Sequence, residues 1–224
     1  MVFETISHYP AIQRWSKNLA DKPLTLAGLV LRTGNALRKL GHPVFVTADT
    51  NDELADNSVV VCASYYWDLD EEGEERCIEL VLVTNQKTRG LLSLSQESAT
   101  DFATSLVESL CHEYRHQEQY RKRAYRQENE YPSAHQDLAL RRSQSYLGMP
   151  SEVDAFGLNI AVRLWLMRGA QALEHVKTPQ LWSYEDSPDF YGYVLAFGLD
   201  HAVTKKLYKK ISKNLLTLRR QFDK

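Results

Sequence analysis

Two histidines four positions apart, with a glutamate between them, are the residues of this sequence best suited to chemistry. His112, Glu113 and His116 form the pattern H-E-x-x-H within residues 111–117. Positions four apart on an α-helix share one face, so both imidazoles can reach one metal ion. The glutamate follows the first histidine closely enough to act as a base toward a water on that ion. The motif therefore predicts two nitrogen ligands for a zinc ion and a general base.

This chemistry requires a helix, and the flanking residues favour one. Residues 98–110 include many good helix formers and contain neither glycine nor proline. Apolar residues recur there at the spacing of one helical face. We predict a helix that has Ser98 or Thr100 as its N-cap and that continues to about Gln127.

A catalytic zinc site also needs a third protein ligand and an open position. The next strong helical segment, residues 150–164, carries Glu152 and Ala155 three apart on one face. The small alanine would let this helix approach the first one closely enough for Glu152 to reach the metal. Alternatively, Ser151 and Asp154 form a capping-box pattern, and Glu152 is then an ordinary acid of the first turn. Because the box gives Asp154 a structural role, we prefer Glu152 as the ligand.

The two motifs together resemble those of the gluzincin class of zinc metallopeptidases. In that class H-E-x-x-H on one helix precedes a glutamate ligand on the next major helix, often within E-x-x-A, which residues 152–155 match. The resemblance covers about residues 98–166 and is closest to small H-E-x-x-H proteins of bacteria and their phages. It implies Zn²⁺ as cofactor, with His112, His116 and Glu152 as metal ligands and Glu113 as catalytic base.

Two residues depart from the pattern of that class. Arg115 stands between the two histidines, where metallopeptidases usually carry uncharged residues. Phe156 stands where related enzymes often have an aspartate that orients a ligand histidine. Asn159, one turn further on, is a candidate replacement, because metal-bound histidines usually need an acceptor for their other ring nitrogen.

Zinc peptidases of this type often add a tyrosine or histidine that donates a hydrogen bond to the oxyanion formed during hydrolysis. The sequence offers His201, Tyr193, Tyr146 and Tyr131 for this role. We assign it to His201, which lies in the predicted C-terminal part of the chain.

Length and composition predict a single domain with a substantial core. The chain has 224 residues, of which 43% are hydrophobic. We predict an α+β fold, zincin-like by resemblance, with a small mixed or antiparallel sheet and a mainly helical C-terminal lobe. Within the domain 1–224, residues 1–97 form helices and the sheet, residues 98–170 the H-E-x-x-H and glutamate helices, and residues 171–224 the C-terminal helices.

Charge and cysteine usage predict a cytoplasmic protein, and the resemblance to zinc metallopeptidases implies that it acts on peptides or proteins. The net charge is −2, so no strong field attracts nucleic acid or an anionic membrane. No apolar stretch is long enough to span a bilayer, and the first residues lack a signal-peptide pattern. Three cysteines, an odd number without close pairing, indicate reduced thiols. Cys111 is predicted to be a small core residue.

Strands are predicted at residues 43–47, 59–67 and 77–83, where β-branched and aromatic residues are frequent. The acidic run 68–75 between the last two strands predicts a solvated hairpin connection. In the gluzincin-like fold an edge strand pairs with extended substrate, and by that resemblance we assign this role to residues 77–84. Further helices are predicted at residues 11–20, 24–40, 137–146, 169–175, 190–199 and 202–222.

The basic stretch 121–126 has two interpretations. It could form a nucleic-acid surface, or a solvated face balanced by Glu118, Glu128 and Glu130. The slightly negative net charge favours the second.

The main functional hypothesis is zinc-dependent hydrolysis of peptide bonds. One alternative is a non-catalytic structural or interaction protein, such as a phage-type assembly component, that keeps the fold. Another alternative is a peptidase that acts on nucleic-acid-bound proteins.

Overall fold

The structure is a computed structural model that describes residues 1–85, 91–184 and 186–223. It is a mixed α+β fold in which helices predominate and three strands form one small mixed sheet. The predicted α+β class and mixed sheet are therefore confirmed, whereas the zincin-like character of the fold stays a prediction. The chain divides into two compact units, Met1–Arg121 and Lys122–Lys224, with the boundary inside the predicted segment 98–170.

The first unit begins with three helices: α1 (Val2–Ser7), α2 (Tyr9–Lys17) and α3 (Leu26–Lys39). The hydroxyl of Thr25 caps α3 by accepting the backbone N–H of Gly28 at 3.0 Å. The two predicted N-terminal helices correspond to α2 and α3, while α1 was not predicted.

The sheet contains β1 (Phe45–Thr50), β2 (Val59–Tyr65) and β3 (Ile78–Thr84) in the order β1-β3-β2. β2 and β3 form an antiparallel hairpin, and β1 pairs parallel with the other side of β3. Leu80 and Leu82 of β3 are fully buried. The assignment of residues 77–84 as an edge strand was wrong, because β3 is central and both of its sides are paired.

A short helix, α4 (Trp67–Glu71), lies in the connection between β2 and β3. The hairpin connection was predicted correctly, but its description as a solvated acidic run was wrong in one respect. Asp70, the third residue of this run, is only 6% exposed. Its buried carboxylate accepts several hydrogen bonds, described below.

The long helix α5 (Gln96–Lys122) carries the H-E-x-x-H motif and buries Phe102, Leu106 and Cys111 along its length. It begins earlier than predicted, because the hydroxyl of Ser95, rather than Ser98 or Thr100, accepts a backbone N–H of the first turn. That bond comes from the N–H of Ser98 at 3.0 Å.

α5 also ends earlier than the predicted Gln127. Ala124 and Tyr125 have positive φ angles of 48° and 57°, a conformation that an α-helix of L-residues cannot continue through. The chain then runs without regular structure to Asp137, whose side chain caps the next helix.

The second unit is helical in its described residues. It contains α6 (Leu138–Leu147), α7 (Pro150–Arg168), α8 (Ala172–His175), α9 (Pro188–Phe197) and α10 (Ala202–Phe222). α7 and α10 pack closely, since a Cβ atom placed on Gly157 would lie 2.5 Å from the Cβ of Lys210. Within the described ranges, no helix combines the length and the apolar character needed to cross a membrane.

Candidate metal centre

His112, Glu113 and His116 lie in the middle of α5 and are buried, with 7%, 6% and 8% of their surface exposed. The imidazoles of the two histidines meet edge to face, with ring centroids 4.7 Å apart. Their Nε2 atoms are 3.0 Å apart. The prediction that both rings share one helical face is therefore confirmed.

Glu152 lies in the first turn of α7 and is 6% exposed. Each of His112, His116 and Glu152 offers one potential ligand atom, and these atoms all lie within 4.8 Å of one another. Two imidazoles and a carboxylate form a donor set that proteins use for divalent metals. The three predicted ligands thus form a buried group that could hold a metal ion.

The separation of the histidine nitrogens agrees with the geometry of a shared metal ion. Two nitrogens bound to tetrahedral zinc at about 2.0–2.1 Å lie roughly 3.3 Å apart. The observed 3.0 Å between the Nε2 atoms of His112 and His116 is only slightly shorter. Both the donor types and their spacing are therefore compatible with a bound metal ion.

Gln119 provides the outer acceptor that a metal-bound histidine needs. Its Oε1 atom lies 3.1 Å from Nδ1 of His116, on the ring nitrogen opposite the one that approaches His112. The sequence analysis did not identify Gln119. Its position three residues after His116, on the same helical face, was the signal that could have found it.

Asn159, the predicted replacement for an orienting aspartate, is 8% exposed. Its Nδ2 donates to Oδ2 of Asp189 at 2.6 Å. Its Oδ1 is buried and has no hydrogen-bond partner among the described residues. The amide therefore retains an acceptor, and its predicted role toward a histidine stays a prediction.

A buried aspartate anchors α5 beside the second histidine. Asp70 accepts hydrogen bonds from Gln117 Nε2 at 3.0 Å, Arg121 Nε at 2.9 Å and Tyr65 Oη at 2.7 Å. Gln117 directly follows His116, and Arg121 lies one turn later. These bonds hold the C-terminal half of α5 against the β2–β3 connection, which fixes the rotation of the helix that carries the motif.

A second series of hydrogen-bonded side chains ends at Tyr114, the residue that follows Glu113. Tyr114 Oη lies 3.0 Å from Nδ1 of His42, and Nε2 of His42 lies 3.1 Å from Nδ1 of His8. Burial, together with the nearby His8, lowers the pKa of His42 to about 4. Burial raises the pKa of the Tyr114 hydroxyl, which therefore keeps its proton beside His42.

His201, the predicted oxyanion donor, is the N-cap of α10. Its Nδ1 accepts the backbone N–H of Val203 at 3.2 Å, and its ring stacks on Phe197 with centroids 5.0 Å apart. These contacts give His201 a structural role, and its catalytic role stays a prediction.

Among the tyrosines considered for the same role, Tyr193 is the one fully buried, and its hydroxyl has no hydrogen-bond partner within the described residues. Burial, and next the negative charge of Glu152, raise the pKa of that hydroxyl. Tyr146, by contrast, is 48% exposed, and Tyr131 packs edge-on against Phe197.

The residues that made the ligand assignment ambiguous have other roles. The capping-box prediction was wrong: Met149 is the N-cap of α7, and the backbone N–H of Ser151 donates to Oε2 of Glu128 at 3.0 Å. Asp154 pairs with Lys210 at 2.5 Å instead of capping the helix.

The two departures from the gluzincin pattern also have packing partners. Arg115 forms an ion pair with Glu118 at 2.9 Å. Phe156 packs against the rings of Tyr146 and Tyr193.

The basic stretch is partly neutralised by acids. Arg121 binds the carboxylate of Asp70, and Arg123 forms an ion pair with Glu128 at 3.3 Å. These pairs favour the balanced-surface interpretation over a nucleic-acid surface.

Comparison of the chain with protein-family models, with curated proteins and with solved structures finds no match. The functional argument therefore rests on the geometry and chemistry of the site itself.

Proposed function

We propose that this protein is a zinc-dependent, gluzincin-like peptidase. In this proposal His112, His116 and Glu152 hold Zn²⁺, and Glu113 is the general base. The observation that carries it is the convergence of three buried ligand groups within 4.8 Å, two of them in an H-E-x-x-H helix. Zinc is preferred because three protein ligands of these types, with a fourth position left for water, are typical of catalytic zinc.

Zn²⁺ at this group would supply a Lewis acid that polarises the scissile carbonyl and makes water a better nucleophile at neutral pH. Glu113 carries out the proton transfers. Its carboxylate takes a proton from the attacking water and passes it to the nitrogen of the leaving amine. The burial of Glu113, 6% exposed, favours this role because few solvent molecules compete for its oxygens.

The test combines metal content with peptide hydrolysis in matched variants. Elemental analysis of the parent is expected to give about one zinc per chain. Glu113→Gln should keep the metal and lose roughly a hundredfold or more of the hydrolysis rate, because the base is gone. His112→Ala should lose both properties. Glu97→Gln, the same chemical change at an exposed position of α5, should retain both.

Two outcomes would contradict the proposal. If Glu113→Gln cleaves a peptide library as fast as the parent, Glu113 is not the base. If the zinc-loaded parent cleaves no peptide in that library, the site holds metal without this chemistry, and the non-catalytic alternative becomes the better explanation.

A further inference from the structure

The first unit has an open groove that shares no residue with the group formed by His112, His116 and Glu152. It has a volume of about 610 Å³ and lies between α3 and β1. Its apolar walls come from one side of α3 and from the adjoining strand: Leu26, Val30, Leu31 and Gly34 on the helix, and Val46 and Ala48 on the strand. Leu31 is 65% exposed and Phe45, also in the lining, is 42% exposed. Large apolar side chains this exposed in a concave surface are typical of a binding site.

The strand beside this groove offers backbone hydrogen bonds. β1 pairs with β3 along one side, and within the described residues no strand pairs with its other side. Five of its six residues are exposed, Val46 being the exception. Alternate residues of such an edge direct N–H and C=O groups outward, where an extended segment can pair with them.

The charged groups of the groove have one sign. Arg38 and Arg76 line it, and no described lining residue carries a carboxylate. The guanidinium of Arg76 lies 5.8 Å from the centre of the Phe45 ring. Neither arginine forms an ion pair with an acid in the described parts of the chain, so both guanidinium groups can bind carboxylates.

We propose that this groove binds an extended acidic segment of a partner protein, which adds to the sheet as a strand beside β1. Backbone pairing along six residues, about 20 Å, would supply the alignment. Apolar side chains at alternate positions of the segment would fill the space between β1 and α3. Glutamate or aspartate side chains at the ends of the segment, beyond the paired residues, would bind Arg38 and Arg76. The interaction goes beyond the proposed peptidase activity and does not require the metal.

The probe is a fluorescent peptide of about eight residues that has glutamate at both ends and alternating valine and threonine between them, acetylated and amidated so that only side-chain carboxylates are charged. We expect its fluorescence anisotropy to rise on binding to the full chain. The matched peptide with lysine in place of glutamate should bind more weakly, by about tenfold or more. A peptide N-methylated at every residue keeps the carboxylates but loses the amide donors, and it should not bind.

Two charge-reversal variants locate the site. Arg38→Glu combined with Arg76→Glu should weaken binding of the glutamate peptide by about tenfold or more. Arg32→Glu combined with Lys39→Glu makes the same charge change at exposed residues of α3 that do not line the groove, and it should change binding by less than about twofold. Leu31→Asp should also weaken binding, because it removes an exposed apolar wall at little structural cost.

Hydrogen exchange tests the pairing itself. Binding of the peptide should slow amide exchange within residues 45–50, the edge that it would cover. The proposal is overturned if the parent does not bind the peptide, if the groove variant binds as well as its control, or if these amides remain unprotected. Glu113→Gln should bind the peptide like the parent, so this result is separate from the test of hydrolysis.

Discussion

The Nε2 atoms of His112 and His116 lie 3.0 Å apart, one helical turn from each other within α5. The Oε1 atom of Gln119 lies 3.1 Å from Nδ1 of His116, so Gln119 can accept a hydrogen bond from the ring nitrogen that does not face His112. A ring oriented in this way has its Nε2 atom available as a ligand for a divalent cation between the two histidines.

Zinc should stabilise the folded protein through this group. At a free zinc concentration of about 100 times the dissociation constant, we expect roughly 2.7 kcal/mol of added stability. Glu152→Gln should largely remove the effect, because it replaces a charged ligand with a weak one. Thermal unfolding with and without zinc measures the difference, and Glu174→Gln, at an exposed residue of the second unit, is the control. An equal zinc response in Glu152→Gln and parent would exclude Glu152 as a ligand.

Removal of Asp70 should destabilise the first unit. Asp70→Ala removes the carboxylate that accepts hydrogen bonds from the buried amide of Gln117 and from the guanidinium of Arg121, at a cost of about 2–4 kcal/mol. Asp68→Ala, at an exposed acid of the same short helix, should change the free energy of unfolding by less than about 0.5 kcal/mol. Urea denaturation of both variants provides the measurement. If Asp70→Ala and Asp68→Ala have the same free energy of unfolding, Asp70 does not anchor α5.

Stability should fall in mild acid because of His42. Its pKa is about 4 in the folded protein and 6.5 when unperturbed, so the unfolded chain binds more protons between these values. The contribution of neutral His42 to the free energy of unfolding is complete above pH 6.5. It is lost as the pH falls toward 4, which lowers the free energy of unfolding by about 1–3 kcal/mol. His42→Gln should flatten this part of the pH profile, whereas His135→Gln, at an exposed histidine, should leave it unchanged. A parent profile that is already flat would contradict the prediction.

Two glycine-to-alanine changes in helices of the second unit should have opposite signs. Gly157→Ala places a Cβ atom 2.5 Å from the Cβ of Lys210 and should destabilise the protein by about 1–3 kcal/mol. A Cβ on Gly192 meets nothing within 4 Å, and Gly192→Ala should stabilise it by about 0.5–1 kcal/mol. Denaturation midpoints compare the two directly. A stabilising Gly157→Ala would show that α7 and α10 can separate without cost.

The helix that carries His112 and His116 could be predicted because its evidence is local. Helical spacing and the absence of breakers lie within a few turns of sequence. The exact ends of α5 could not be predicted, since several serines and threonines were equivalent as caps and the positive φ angles at Ala124 and Tyr125 have no strong sequence signal. Glu152 was selected through the motif resemblance and through a capping box at Ser151 and Asp154 that α7 does not form, since nothing local distinguishes a ligand from a first-turn acid.

The features that depend on tertiary contacts were not predicted. Asp70 stands in an acidic run that favours solvent, and its burial becomes favourable through hydrogen bonds from Gln117 and Arg121 of α5 and from Tyr65 of β2. The central position of β3 was missed for the same reason. Strand composition indicates where strands occur but contains no information about which neighbour each strand pairs with.

The order of the strands along the chain has a consequence for biosynthesis. β3 is the last of the three to leave the ribosome, yet both described neighbours pair with it. A nascent chain that stops before Ile78 therefore carries two unpartnered strands, each able to associate with another growing polypeptide. Cotranslational chaperone binding would be most valuable in the interval before that residue emerges.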